Sequence, residues 1–129
     1  MKTTTKILIV DDAEMERFQL LHLLNGNYNE NDLFFAPTIE EAWEILQQQE
    51  IDVLLLDIYL PGENGADLMT KMFADERLKD IPIIVITGTR EDSFVKMSFE
   101  KYVYAYLHKP IVKDKLLNMI AGCVRSKTN

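Results

Sequence analysis

Cysteine is all but missing. Cys123 is the only one in 129 residues, so no disulfide can close within the chain. Long hydrophobic runs are missing too: no apolar stretch approaches the roughly 18 residues that a membrane-spanning helix needs. Basic residues are in deficit, 14 against 21 acidic ones, for a formal net charge of −7. That balance argues against a non-specific nucleic-acid or anionic-membrane surface and suits a cation or a basic partner patch. The start, Met1 to Lys6, has no hydrophobic region behind it, because Asp11 and Asp12 cut the apolar stretch after four residues; it does not read as a signal peptide. A cytoplasmic location is expected. No low-complexity stretch, internal repeat or interdomain linker breaks the chain.

What is present is 47% hydrophobic and 27% charged, ordinary for one folded domain with a full core. Its organising stretch is Val53-Leu54-Leu55-Leu56-Asp57, a short apolar run that stops at a carboxylate and is followed by Pro61, Gly62 and Gly65. Such a run reads as a strand buried on both faces, as in parallel sheets. Four further runs read as strands: Ile7–Val10, ending at Asp11-Asp12; Asp32–Ala36; Ile81–Ile86, with Pro82 at its start; and Tyr102–Leu107, closing at His108-Lys109-Pro110.

Between them lie helical patterns. Met15, Phe18 and Leu21 with Leu20, Leu23 and Leu24 mark the first. Thr38 with Glu41 three residues on is a capping-box signature for the second, whose stripe is Ile39, Ala42, Trp43 and Leu46. Leu68, Met69, Met72 and Phe73 mark the third, Phe94, Val95 and Phe99 a weaker fourth over 91–101, and Leu116, Leu117, Ile120, Ala121 and Val124 the fifth. Five strands alternating with five helices predict an α/β fold: a five-stranded parallel sheet with helices on both faces, a flavodoxin-like three-layer sandwich of strand order 2-1-3-4-5. All strands then point one way. Asp11, Asp12, Asp57, Thr87 and Lys109 emerge at one edge, the acids flanking the switch point where such sheets bind ligands.

Three converging carboxylates repel one another unless a cation offsets them. Oxygen ligands without nearby His or Cys suit Mg²⁺ or Mn²⁺ rather than zinc, and a partly open Mg²⁺ site suits phosphate oxygens. Lys109 adds a positive point charge and Thr87 a hydroxyl donor. A carboxylate in that setting can take a phosphoryl group as an acyl phosphate.

In these residues the chain resembles a response-regulator receiver domain, the phosphoacceptor module of two-component signalling. The match rests on Asp11-Asp12 after the first strand, Asp57 with Pro61 and Gly65, Thr87 followed by Gly88, Tyr106, and Lys109-Pro110. It runs from Lys6 to about Val124, so that 1–129 reads as a single receiver domain. The resemblance implies that Asp57 accepts a phosphoryl group from a histidine kinase or phosphotransfer protein. It implies Mg²⁺ held by Asp12, Asp57 and the main-chain carbonyl of Tyr59, with Asp11 acting through a metal-bound water. Lys109 would pair with the phosphoryl oxygens, Thr87 would swing to bond them, and Tyr106 would turn into the vacated space. A cis Lys109–Pro110 bond is implied as well.

Tyr102-Val103 stand where receivers often carry Gly-Ala, and Leu60 replaces a frequent Met. His108 reads as a surface position and His22 as packing or surface. A phosphatase of the haloacid-dehalogenase type needs a second acid two residues after its nucleophile, where Tyr59 and Ala13 stand here. A flavin or dinucleotide carrier needs a Gly-rich phosphate turn after the first strand, where Asp11-Asp12 would repel phosphate.

The expected entity is a regulatory phosphoacceptor, not a substrate-turnover enzyme, acting either as a stand-alone receiver or as an excised module of a larger response regulator or hybrid histidine kinase. Tyr102, Tyr104 and Tyr106 alternate along the fifth strand and are expected on one face. With the fourth and fifth helices they form the expected surface for a downstream partner or a homodimer. No direct nucleic-acid or membrane contact is expected.

Overall fold

The computed structural model of the chain describes residues 4–57, 59–60, 63–88 and 102–128. In order the elements are β1 (Ile7–Val10), α1 (Glu14–Leu24), a 3₁₀ turn (Glu30–Asp32), β2 (Leu33–Ala36), α2 (Ile39–Gln48), β3 (Val53–Asp57), the short strands β4 (Tyr59–Leu60) and β5 (Glu63–Asn64), α3 (Gly65–Phe73), β6 (Ile83–Thr87), β7 (Ala105–His108) and α4 (Lys113–Thr128). The main sheet runs β2-β1-β3-β6-β7, all parallel. This is the expected 2-1-3-4-5 order. The helix expected over 91–101 lies outside the described residues, so four helices are described where five were expected. The pair β4–β5, antiparallel with Tyr59 opposite Asn64, was not anticipated from the sequence.

Every residue of β1, β3 and β6 is buried, which is why these strands read as unbroken apolar runs. Their side chains alternate between two core layers. Leu8, Val10, Leu54, Leu56, Ile83 and Val85 pack with Ala42, Leu46, Leu68, Met69 and Met72 of α2 and α3. Ile7, Ile9, Val53, Leu55, Ile84 and Ile86 pack with Leu20, Leu24, Leu116, Ile120 and Cys123 of α1 and α4. Each fully buried aliphatic side chain contributes about 1.5–3 kcal/mol, so the three central strands carry much of the stability.

Local signals held where they rested on hydrogen bonding. The Thr38 hydroxyl accepts the Glu41 N–H at 3.1 Å and starts α2. Arg77 donates to the Leu46 carbonyl near the other end of α2, a group the helix itself leaves unsatisfied. Gly26, at φ +89°, turns the chain after α1, a conformation that glycine adopts without a Cβ penalty.

Four expectations need correction. Met15 and Phe18 are 82% and 65% exposed, not core. The inward stripe of α1 is Leu20 and Leu24, four residues apart, and Met15 and Phe18 fall on the far side of that face. Phe73 is likewise only partly covered, its ring against Tyr102 at 4.4 Å between centroids. Asp32 belongs to the 3₁₀ turn rather than to β2, because Asn29 caps that turn by accepting the Asn31 N–H at 2.8 Å.

The last correction concerns the edge strand, which spans 105–108 and not 102–107. Tyr104 N–H bonds the Ile83 carbonyl at 2.8 Å, but before it the chain leaves the extended form and Tyr102 packs on Phe73. Side-chain packing has overridden the period of two. The three tyrosines therefore do not share a face. Tyr102 and Tyr106 pack against the α2–α3 core layer, whereas the Tyr104 hydroxyl lies on the other side, over Gly122 of α4.

Candidate functional site

Because the strands are parallel, β1, β3, β6 and β7 deliver their C-terminal ends to one edge. Val10 pairs with Leu56, so Asp11 leaves β1 beside Asp57 at the end of β3. Thr87 ends β6, and its carbonyl accepts the Lys109 N–H at 3.0 Å, which fixes Lys109 just past the end of β7. Asp11, Asp57 and Thr87 are buried, while Asp12 is exposed. Asp11, Asp12 and Asp57 each offer a carboxylate oxygen within 4.8 Å of the others. The sequence-derived cluster is assembled as expected.

The electrostatics are strained in one direction. Burial pushes the Asp11 carboxyl up to about 7, reinforced by the neighbouring Glu16 carboxyl and the charge of Asp57. Asp11 Oδ1 accepts the Ala13 N–H at 2.9 Å, but Oδ2 is buried with no hydrogen-bond partner among the described residues. A buried carboxylate oxygen of that kind is costly, and a cation offsets the cost. Three hard oxygen donors with no sulfur or imidazole among them match Mg²⁺ or Mn²⁺.

Lys109 is the counter-charge. Its ammonium lies 3.5 Å from Asp57 Oδ2 and in hydrogen-bond contact with Glu16 Oε1. Partial burial works against the charge on Lys109, yet Glu16, then Asp57 and Asp11, hold its pKa above the ordinary lysine value. Burial also opposes ionisation of Glu16, but the Asp11 carboxyl and Lys109 outweigh it and hold that carboxyl below its ordinary range. Gly88 leaves room for the Lys109 stem, whose Cδ would lie only 3.4 Å from a Cβ at that position.

Sequence reasoning missed two participants. Glu16 and Arg17 both reach the site from the first turn of α1, Arg17 donating to the Asp11 carbonyl at 2.8 Å. The signal for Glu16 was there: Glu16, Leu20 and Leu24 recur every four residues, so an acid stands in line with the buried stripe where α1 meets the sheet edge.

Residues 7–121 match the family model for the response regulator receiver domain. The chain belongs to that family. It is 33% identical over 111 residues to the sensory transduction protein LytT of Bacillus subtilis (strain 168), an alignment covering 86% of this chain and 44% of that protein. With the sensory transduction protein LytR of Staphylococcus epidermidis (strain ATCC 12228 / FDA PCI 1200) it shares 35% identity over 111 residues, covering 86% and 42%. The chain thus spans less than half the length of these relatives. Its fold is also that of the signal receiver domain of an HD domain-containing protein from Pseudomonas fluorescens Pf-5, with a TM-score of 0.85 at 23% identity, over 99% of this chain and 92% of that one.

Receiver domains are the regulatory phosphoacceptor modules of two-component signal transduction. In this receiver domain Tyr106 is half-buried on β7 beside Val85 of β6, the strand that separates it from Asp57 on β3, and the Lys109–Pro110 bond is cis. Tyr59 begins β4 two residues after Asp57. His22 and His108 are exposed, and Trp43 is half-buried with the Lys71 ammonium 4.3 Å from its ring centroid. No helix among the described residues is long and apolar enough to cross a membrane.

Proposed function

We propose that this receiver domain is a phosphorylation-controlled switch with Asp57 as its phosphoacceptor. The observation that carries the reading is the position of Asp57, which belongs to the three-carboxylate cluster and also lies 3.5 Å from the Lys109 ammonium. In the proposed step an Asp57 carboxylate oxygen attacks the phosphorus of a phosphohistidine on a histidine kinase or phosphotransfer protein. The O–P bond forms as the P–N bond breaks, and the departing imidazole keeps the bonding pair and takes up a proton from solvent. Lys109 stabilises the charge on the transferring oxygens.

Asp12, Asp57 and the Tyr59 carbonyl are the direct ligands we assign to Mg²⁺, with Asp11 acting through a water. When bound, the metal supplies neutralisation of the phosphoryl charge. Mn²⁺ fits the same donors. To Thr87, buried at the end of β6, we assign the donation of its hydroxyl to the phosphoryl group, and to Tyr106 the move into the space that Thr87 leaves. Phosphorylation then acts as a population shift, since the phosphoryl group binds one arrangement of Thr87 and Tyr106 better than the other. We place the output, a downstream protein or a second copy of the chain, on the face that β7 and α4 share. A receiver acting alone and one acting as a module of a larger regulator or hybrid kinase use this same site.

The test is labelling. A small-molecule phosphodonor with Mg²⁺ should add one phosphoryl group to the wild type by intact mass and none to Asp57→Ala. Labelling that persists in Asp57→Ala overturns the assignment.

A further inference from the structure

Lys109 carries one ammonium with three N–H donors, and two acids already claim it. One is Asp57, at 3.5 Å. The other is Glu16, which reaches across from α1 to make the hydrogen-bonded contact. A phosphoryl group on Asp57 brings a dianion to this corner, and Lys109 is the cation placed to meet it. The Glu16 carboxylate cannot stay where it is without facing that dianion directly, so the two anions compete for one ammonium. The backbone of Glu16 is fixed, because Leu20 and Leu24 on the same face are buried in the core. Its side chain is not, being about one-third exposed, and it can swing into water.

We infer that Glu16 is a positioning residue for phosphoryl transfer: its carboxylate holds Lys109 while Asp57 is unmodified and surrenders it to the phosphoryl oxygens. This rests on Asp57 being the phosphoacceptor. The ion pair sets how favourable the phosphorylated state is, because its energy is lost when that state forms. Glu16 touches no reacting atom; it reaches the phosphoryl oxygens through Lys109, its other neighbour being the Asp11 carboxyl. For a partly exposed pair the effect is modest, about fivefold in an equilibrium constant.

A role limited to fastening α1 to the end of β7 would change the melting temperature and leave phosphoryl affinity alone. The discriminating experiment therefore measures beryllofluoride affinity, in Mg²⁺, for the wild type, Glu16→Gln and Glu16→Asp, with melts of each. Glu16→Gln should bind the mimic about fivefold more tightly, and Glu16→Asp, which restores the charge, should return toward wild type. A second measurement needs no variant. In the wild type, the carboxyl carbon resonance of Glu16 and the ammonium nitrogen resonance of Lys109 should both move when beryllofluoride binds, Glu16 toward the value of a solvated glutamate. Unchanged or weaker binding by Glu16→Gln, or a Glu16 resonance that stays put, overturns this role alone. A wild type that neither binds beryllofluoride nor takes a phosphoryl group at Asp57 overturns the phosphoacceptor reading and this role with it.

Discussion

Strands β3 and β7 both deliver a charged residue to the same edge of the sheet, yet they are built in opposite ways. Every residue of β3 is buried, and it pairs with β1 on one side and β6 on the other before ending at Asp57. In β7 only Leu107 is buried, and among the described residues its one partner is β6. Asp57 therefore sits on an element held from four directions, two strands and two core layers. Lys109 is held through a backbone bond to Thr87 and through its own ion pairs. The difference teaches where adjustment can occur. The proposed acceptor is fixed, and the cation and the neighbouring tyrosines are the parts with latitude.

Truncation tests that contrast most severely. Leu55→Ala, fully buried in β3, should cost about 2–5 kcal/mol in urea unfolding, through lost transfer energy and an unfilled cavity. Tyr104→Ala, at a side chain 45% exposed, should cost less than about 1 kcal/mol. Equal losses would mean that the edge is packed as firmly as the centre. The next effect belongs to the acid cluster at the end of β3. Mg²⁺ at ten times its dissociation constant should add about 1.4 kcal/mol by linkage, a rise of about 3–6 °C in melting temperature. A melt unchanged from that in EDTA at matched ionic strength would count against a cation at Asp11, Asp12 and Asp57.

The same contrast explains what the sequence made legible. Central strands are covered on both faces, so Ile7–Val10 and Val53–Asp57 declare themselves through composition alone, and the alternation with helices then fixes strand direction and order. Asp11, Asp57, Thr87 and Lys109 follow, because a parallel sheet sends all their strand ends to one edge. Edge and surface elements carry no such constraint. The tyrosine alternation over 102–106 pointed to one face, but a ring contact between Tyr102 and Phe73 competes with extension there, and no local pattern records a contact between residues so far apart in sequence. Met15 and Phe18 misled for a related reason: apolar character in α1 is spread around the helix, and only the sheet decides that the face of Leu20 and Leu24 turns inward. Glu16 was overlooked because an acid in a first helical turn is ordinary on dipole grounds.

Alkaline titration probes the layer beneath β7. Burial pushes the Cys123 thiol up to about 11 from an ordinary 9.0, and burial, then the charge of Cys123, raises Tyr28 as well. Both groups are protonated in the fold and lose a proton more easily when unfolded. The Cys123 contribution to stability is thus complete below about pH 9 and is lost as pH rises through about 11, and that of Tyr28 is complete below its ordinary 10.0 and lost as pH rises through its raised pKa. Melting temperature should fall across that window, and Cys123→Ala should flatten the decline. An equally steep fall in Cys123→Ala would assign the loss to other groups.

The smallest effect is the sharpest test of latitude at the edge. Gly122 lies within α4, and a Cβ added there would come 2.8 Å from the Tyr104 hydroxyl oxygen, too close for both to stay. What must move is the tip of a half-exposed side chain, which can rotate outward at little cost. Replacing glycine by alanine inside a helix gains about 1 kcal/mol in backbone propensity. Gly122→Ala should therefore leave stability unchanged or raise it by up to about 1 kcal/mol, while the ring resonances of Tyr104 shift as it leaves α4. Ala42→Val, which also adds bulk but in the core layer beneath β1 and β3, should instead cost about 1–3 kcal/mol, because nothing around a fully buried alanine is free to yield. If Gly122→Ala proves as costly as Ala42→Val, Tyr104 is anchored rather than resting on α4, and the edge of this receiver domain is as rigid as its centre.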